Sequence, residues 1–312
     1  MSGALEDLIR RTAALGASDF ALEPDDDAAL VAVARIDGVR SVVGRIARGD
    51  AAAAIARLKS LAGLPAYITD EAQDGRIDGS AFGIAGDLRA SFLPTVRGQR
   101  AAIRLPSIGI LPTPDGLGLP EEVVAILRAL ARRPDGLIVV AGPTGSGKTT
   151  TLHSVLAELA LERQDRHVLT IEDPVERRVA GITQIEVAAA RGFGFCDALT
   201  AALRHDPDVI VVGEVRDPGT AIACVRAALT GHLVLTTVHA GRAAEVVPRL
   251  IEMGVDPDLL LPALTAVLAQ RLVRRRHLDC RGLGCAACTG GFSGRQAVSD
   301  LLILDQEARA RL

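Results

Sequence analysis

Leu137-Ile-Val-Val-Ala-Gly-Pro-Thr-Gly-Ser-Gly-Lys-Thr149 decides how the rest of this chain is read. Leu137 to Ala141 have the length and branching of a buried strand, and Thr149 to Leu161 carry Leu152, Val155, Leu156 and Leu159 at helical spacing. Between them, Gly142-Pro143-Thr144-Gly145-Ser146-Gly147-Lys148-Thr149, followed by Thr150, has the spacing G-x-x-x-x-G-K-[ST]. In a strand–loop–helix context that spacing forms a phosphate cradle. Glycine amides surround phosphate oxygens, the ammonium of Lys148 meets the β- and γ-phosphates, and the Thr149 hydroxyl holds Mg²⁺. Only two lysines occur in the 312 residues, Lys59 and Lys148, against 33 arginines. A guanidinium fork is too broad for a pocket built around a compact cation, which explains why a lysine persists at 148.

The composition is that of a globular protein long enough for two domains: 49% hydrophobic, 23% charged, with a formal net charge of -3. Bulk charge gives no support to a nucleic-acid partner, and without Trp and with Tyr67 as the single Tyr, stacking platforms are almost absent. No nucleic acid is therefore expected. There is no run of about 18 apolar residues, and Met1-Ser-Gly-Ala-Leu-Glu-Asp7 lacks a basic and then apolar leader. A cytosolic chain is expected, reaching a membrane only through partners. Cysteines stand at 196, 224, 280, 285 and 288. The last three lie close enough to favour a metal over a disulfide in a reducing compartment.

Residues 1–105 read as a small α+β domain, with a helix over 5–15, strands near 19–23, 30–36 and 41–46, a helix near 51–62, and strands near 86–93 and 100–105. The proline-bearing stretch 106–119 reads as a linker. From 120 to 276 apolar strands at 137–141, 167–172, 209–212 and 232–238 alternate with helices, which implies a mostly parallel sheet covered on both faces. Ligands of such sheets sit at the carboxyl ends of strands. Glu172 and Asp173 end the second strand on the rim of the phosphate loop, or else cap the next helix. Glu214 follows the third, where a carboxylate reaches the Mg²⁺ shell or orients an attacking water. His239 leaves the fourth beside the loop, where an imidazole can sense a γ-phosphate. His232 begins that strand and needs a turn of the chain to reach the nucleotide.

The ordered set Gly142–Thr151, Thr170-Ile-Glu-Asp-Pro-Val-Glu176, Asp206-Pro-Asp-Val-Ile-Val-Val-Gly-Glu-Val-Arg-Asp217 and Leu229-Thr-Gly-His-Leu-Val-Leu-Thr-Thr-Val-His239 resembles the secretion ATPase superfamily, the motors of type II secretion and type IV pilus assembly or retraction. The four segments match that family's Walker A, Asp, Walker B and His boxes. Upstream, Ser18-Asp-Phe-Ala-Leu-Glu-Pro24, Arg35-Ile-Asp-Gly38 and Leu61-Ala-Gly-Leu64 extend the likeness. It implies an α/β fold, a RecA-like P-loop ATPase domain preceded by a smaller PAS-like α+β domain, with ATP and Mg²⁺ as ligands and a homohexamer as the assembly. Asp87–Arg104 resembles the family's hairpin whose two arginines reach the γ-phosphate; they map onto Arg89 and Arg104. With a turn at Val96-Arg97 these two lie opposite each other, and a shared anion would relieve their repulsion. The alternative is two solvated surface arginines.

The likeness also implies two Cys-x-x-Cys pairs after Gln270–Arg274. Cys285-Ala-Ala-Cys288 is intact, whereas His277-Leu-Asp-Cys280 has histidine in place of the first cysteine, and only four residues separate the pairs. Three thiolates and an imidazole suit a closed structural zinc site over 277–295; the alternative is a remnant that binds no metal. Residues 296–312 read as a short tail. The implied function is Mg-ATP hydrolysis driving secretion or pilus or pseudopilus assembly, with inner-membrane platform proteins as partners. The alternatives are a retraction motor, a DNA-uptake or other nucleic-acid translocase, and a non-hydrolysing scaffold. Two residues depart from the pattern, Ala21 where it has histidine and Gln99 where it has glutamate, and the family's extra N-terminal domain and last C-terminal helices are expected to be missing.

Overall fold

A computed structural model describes residues 2–106, 111–285, 288–305 and 308. The chain divides into two compact units, Met1–Ile110 and Leu111–Leu312.

The first unit contains α1 (Ser2–Ala14), β1 (Asp19–Pro24), β2 (Leu30–Ile36), β3 (Val39–Ile46), α2 (Arg48–Leu61), β4 (Gln73–Asp78), β5 (Asp87–Thr95) and β6 (Gly98–Arg104). Its six strands form one antiparallel sheet in the order β3-β2-β1-β6-β5-β4. Alternation along the strands decides the faces. Phe20, Leu22, Leu88, Ala90, Phe92, Ala101 and Ile103 point into a core closed by Leu5, Leu8 and Ile9 of α1 and Ile55 and Leu58 of α2. The residues between them point away from the helices. Lys59 is fully buried, its ammonium 5.6 Å from the centre of the Phe92 ring. Strand β4 had no reading in the sequence: Gln73-Asp-Gly-Arg-Ile-Asp78 has a single apolar residue, Ile77, to turn inward.

The second unit contains α3 (Glu121–Ala131), β7 (Gly136–Ala141), α4 (Lys148–Glu162), β8 (Val168–Glu172), β9 (Thr183–Glu186), α5 (Phe195–Ala202), β10 (Val209–Val212), α6 (Pro218–Leu229), β11 (Leu233–Val238), α7 (Val246–Glu252), α8 (Pro257–Ala263), β12 (Leu264–Arg276) and β13 (Phe292–Ile303). The sheet order is β13-β12-β7-β11-β10-β8-β9, parallel throughout except for β13. One face packs on α3 and α4 through Ile138, Val140, Val211 and Leu235; the other packs on α5 to α8 through Leu137, Val139, Ile210 and Val234. Sides buried on both faces explain the unbroken apolar runs.

Two segments differ from their reading. Residues 296–303 of the expected tail, with 292–295 before them, form the antiparallel edge strand of the sheet; 306, 307 and 309–312 lie outside the described residues. Likewise, the later half of 106–119 belongs to the second unit, because Asp115 receives two hydrogen bonds from Arg128, at 2.9 and 2.6 Å, and Arg128 also grips Glu158. Residues 107–110 lie outside the described residues.

Candidate functional site

The phosphate loop joins β7 to α4, and its shape depends on glycine at the point of closest approach. Gly142 has φ 152°, and a Cβ there would come 2.4 Å from the Gln270 carbonyl oxygen and 2.5 Å from Ser146 Oγ. Helix α4 starts at Lys148 with no side chain capping it and no acidic residue in its first turn. Its leading amides therefore lack intrahelical partners and carry the positive end of the helix dipole, as an anion site requires. Thr149 and Thr150 are exposed there, as are Pro143, Thr144 and Gly145. Ser146 Oγ is buried with no hydrogen-bond partner, an orphaned polar group inside the loop.

Lys148 folds back over the loop, donating to the carbonyls of Gly142 at 2.9 Å and Pro143 at 3.1 Å. Burial pushes its ammonium pKa down, and the Glu214 carboxylate opposes that shift. Glu214 sits just beyond β10, where Thr236 Oγ1 donates to the Val212 carbonyl and Thr237 Oγ1 to that of Gly213, so β11 fixes the strand end that carries it. Arg216 Nε lies 2.7 Å from Glu214 Oε2 and His239 Nε2 lies 3.9 Å from the same oxygen. The His239 pKa is lowered, first by burial and then by Lys148 and Arg216, against the pull of Glu214. That shift favours the neutral imidazole. Lys148, Glu214 and His239 are thus brought together at the carboxyl ends of β7, β10 and β11.

Glu172 ends β8 but is turned inward rather than capping a helix. Its Oε1 accepts from Thr170 Oγ1 at 2.6 Å and Gln184 Nε2 at 2.9 Å, and its Oε2 lies 3.4 Å from His153 Nε2. Burial alone would raise its pKa, but these donors, His153 foremost, outweigh it and leave the carboxyl below its ordinary value. Asp173, next in the chain, is exposed. His232 is not brought to the loop. It stands at the amino end of β11, where its backbone carbonyl pairs with Gly136 and its Nδ1 lies 3.1 Å from the Ala227 carbonyl oxygen at the end of α6. The six paired residues of β11 separate it from the carboxyl rim, roughly 20 Å at strand rise.

Gln270 was read only as part of a family stretch, yet it clamps the loop from β12. Its Oε1 accepts from Thr151 Oγ1 at 2.9 Å and its Nε2 donates to the Ser146 carbonyl at 2.7 Å, both in buried surroundings. The contacts of His153 and Arg216 also went unread: His153 meets Glu172 from a separate element, whereas Arg216 meets Glu214 two residues away on the same loop.

The β12–β13 hairpin ends in the Cys/His cluster. His277 Nδ1 lies 3.4 Å from Cys280 Sγ and 3.5 Å from Cys285 Sγ, and Cys288 Sγ lies 3.7 Å from the sulfurs of both Cys280 and Cys285. A tetrahedral zinc ion with ordinary bond lengths has S···S edges of about 3.8 Å and N···S edges of about 3.5 Å. The four atoms therefore fit one ion, and none of the sulfurs is in a disulfide. His277 Nε2 is 3.6 Å from Asp279, the carboxylate–histidine arrangement that orients a metal-binding imidazole. The neighbouring His277 brings the Cys280 thiol down to about 6. In the first unit, Arg89 and Arg104 are directly paired across the β5–β6 hairpin, whose two-residue turn is Val96-Arg97.

The whole chain, residues 2–312, matches the family of type II/IV secretion system proteins. It is 42% identical to the type II secretion system protein HxcR of Pseudomonas aeruginosa over 97% of this chain and 66% of that one. It is 38% identical to the type IV pilus assembly ATPase PilB of Thermus thermophilus over 98% of this chain and 37% of that one. The chain thus spans between about a third and two thirds of the length of these relatives. Among solved structures, the pilus retraction motor PilT with bound ADP superposes with a TM-score of 0.69 at 29% identity, over 98% of this chain and 84% of PilT. The ATPase DotB of Legionella pneumophila, at 22% identity and a TM-score of 0.74, shares the fold. With the phosphate loop, its facing carboxylate and this likeness along its whole length, the chain belongs to the type II/IV secretion system protein family and has its RecA-like P-loop fold.

Proposed function

We propose that this chain hydrolyses Mg-ATP and that the cycle drives type II secretion or assembly of a type IV pilus or pseudopilus. The observation that carries the reading is the convergence of Lys148, Glu214 and His239 on the open start of α4. The loop amides and Lys148 hold the β- and γ-phosphates, and Glu214 orients the attacking water while Arg216 fixes its carboxylate. Mg²⁺ bound at Thr149 and Glu214 would neutralise charge on the phosphates. Neutral His239 senses the γ-phosphate without adding a second cation beside Lys148. Glu172, held by His153, Thr170 and Gln184, supports the rim rather than meeting the phosphate, with Asp173 exposed beside it.

Arg89 and Arg104 supply charge to the γ-phosphate in a homohexamer, so that cleavage moves one unit against the other. The chain acts at the cytoplasmic side of the inner membrane through platform proteins. No described helix is long and apolar enough to cross a membrane, in keeping with recruitment by partners. The hairpin tip binds a structural zinc ion through His277, Cys280, Cys285 and Cys288, the four-atom fit being the support for it. A pilus retraction motor is the second reading, favoured by the likeness to PilT; the greater identity to a secretion protein and an assembly ATPase favours the first. Phosphate release by the assembled protein tests the activity. Glu214→Gln is expected to lower kcat at least about a hundredfold while nucleotide still binds, and a wild-type rate in that variant would remove Glu214 from the reaction.

A further inference from the structure

The six-stranded sheet of the first unit carries a line of charge on the face turned away from its helices. Arg76 of β4 is the direct cross-strand partner of Arg89 of β5, and Arg89 is the partner of Arg104 of β6. Three guanidinium side chains therefore stand side by side on adjacent strands, all exposed. Directly opposed residues have Cβ atoms about 4.5–5.5 Å apart, so the row spans roughly 10 Å, and like charges so placed repel.

The rest of the sheet shows that the row is not generic surface arginine. Its strands carry four other arginines, and each has a carboxylate: Arg35 with Asp19, Arg40 and Arg100 with Glu23, and Arg45 with Asp25 and Asp27. Among the described residues, Arg76, Arg89 and Arg104 have no ion pair. Asp19, the next residue of the row beyond Arg104, accepts from Ser18 and lies 3.9 Å from Arg35. Asp74 and Asp78 on β4 and Asp87 on β5 stand one same-face step from the row, and among the described residues none of them forms an ion pair with it; Asp78 accepts from the Ser80 amide instead. The three arginines of this sheet without an ion pair are the three that face one another.

We propose that Arg76 is a third phosphate-binding arginine, extending the Arg89–Arg104 pair into a three-guanidinium site for a polyphosphate chain. The inference rests on the reading of Arg89 and Arg104 as ligands of the nucleotide. A row of repelling cations is stabilised by a linear polyanion that contacts each in turn, and an arginine fork matches phosphate oxygens in geometry as well as charge. The site costs stability when empty and recovers it when filled.

The test uses the full-length assembled protein and the variants Arg76→Ala, Arg76→Gln, Arg89→Ala and Arg104→Ala. Steady-state hydrolysis of Mg-ATP is measured together with thermal melting, the latter without ligand and with inorganic tripolyphosphate. Both Arg76 variants should lose at least about tenfold in kcat/KM, should melt at or above the wild-type temperature without ligand, and should show a smaller upward shift with tripolyphosphate. Wild-type turnover in the Arg76 variants alongside losses in Arg89→Ala and Arg104→Ala overturns the third position and leaves the pair standing. Wild-type turnover in all four variants sinks the underlying reading as well. Loss of activity in both Arg76 variants with a matching fall in ligand-free melting temperature also overturns the proposal, because it would show Arg76 to be structural.

Discussion

Gln270 shows how much of the site depends on single side chains outside the motif. It is buried, and its amide bridges the Thr151 hydroxyl and the Ser146 carbonyl, so both its donor and its acceptor act on the loop. Replacing it with leucine leaves a buried carbonyl and a buried hydroxyl without partners, at a cost of about 1–3 kcal/mol each. If part of that cost falls on the loop shape that binds phosphate, Gln270→Leu weakens nucleotide binding about tenfold or more. Gln270→Glu keeps the acceptor for Thr151 but sets a carboxylate against the Ser146 carbonyl, so it should weaken binding too. Titration with a fluorescent nucleotide measures both; unchanged affinity would make the clamp incidental. The sequence could not reveal this contact, because Thr151 and Gln270 are 119 residues apart.

At the scale of elements, the β12–β13 hairpin is built in stages. Near the sheet it is ordinary antiparallel ladder; farther out the Arg274 guanidinium lies 4.1 Å from the Phe292 ring centre, and the tip closes on the Cys/His cluster. Gly291 is essential to that closure: at φ 87°, a Cβ would come 2.1 Å from the Gly282 carbonyl oxygen. Few apolar residues are available at the tip, where Leu278 and Leu283 are exposed, and under the proposed zinc site a bound metal would supply the order that a core cannot. Purified protein should therefore contain about one zinc per chain by elemental analysis, and Cys288→Ser should lose it. Chelation should open 277–291 to protease while nucleotide binding survives. A full-length chain with no zinc and a protease-resistant tip would contradict this. The clustering of His277, Cys280, Cys285 and Cys288 was legible from their spacing, but the strand after them was not: Phe292-Ser-Gly-Arg-Gln-Ala-Val-Ser-Asp-Leu-Leu-Ile303 mixes polar and apolar residues because it lies on the sheet edge.

For the whole molecule, the two units have separate hydrophobic cores, one around Phe20, Phe92 and Leu58 and the other around the two faces of the large sheet. A chain cut to 111–312 should fold and bind nucleotide, yet turn over poorly, since Arg76, Arg89 and Arg104 all belong to the first unit. Binding measured by calorimetry beside phosphate release checks this, and full turnover by the fragment would contradict it. The central strands β7, β8, β10 and β11 were legible because burial on both faces writes continuous apolar runs. Strands β4, β9 and β12 were not, since their identity depends on neighbours supplied from elsewhere in the chain. The site followed the same rule. Lys148 closes the loop after one legible strand and Glu214 follows another, whereas His232 begins its strand, as the sequence indicated, and no turn of the chain carries it to the loop.

The scarcity of lysine has a practical side. Apart from the chain's amino terminus, an amine-selective acylating reagent meets only Lys59, sealed against Phe92, and Lys148. Every other fixed cation is a guanidinium, which such reagents leave alone. Peptide mapping of acylated protein, with and without nucleotide, would therefore report occupancy of the cradle at one residue against a nearly silent background.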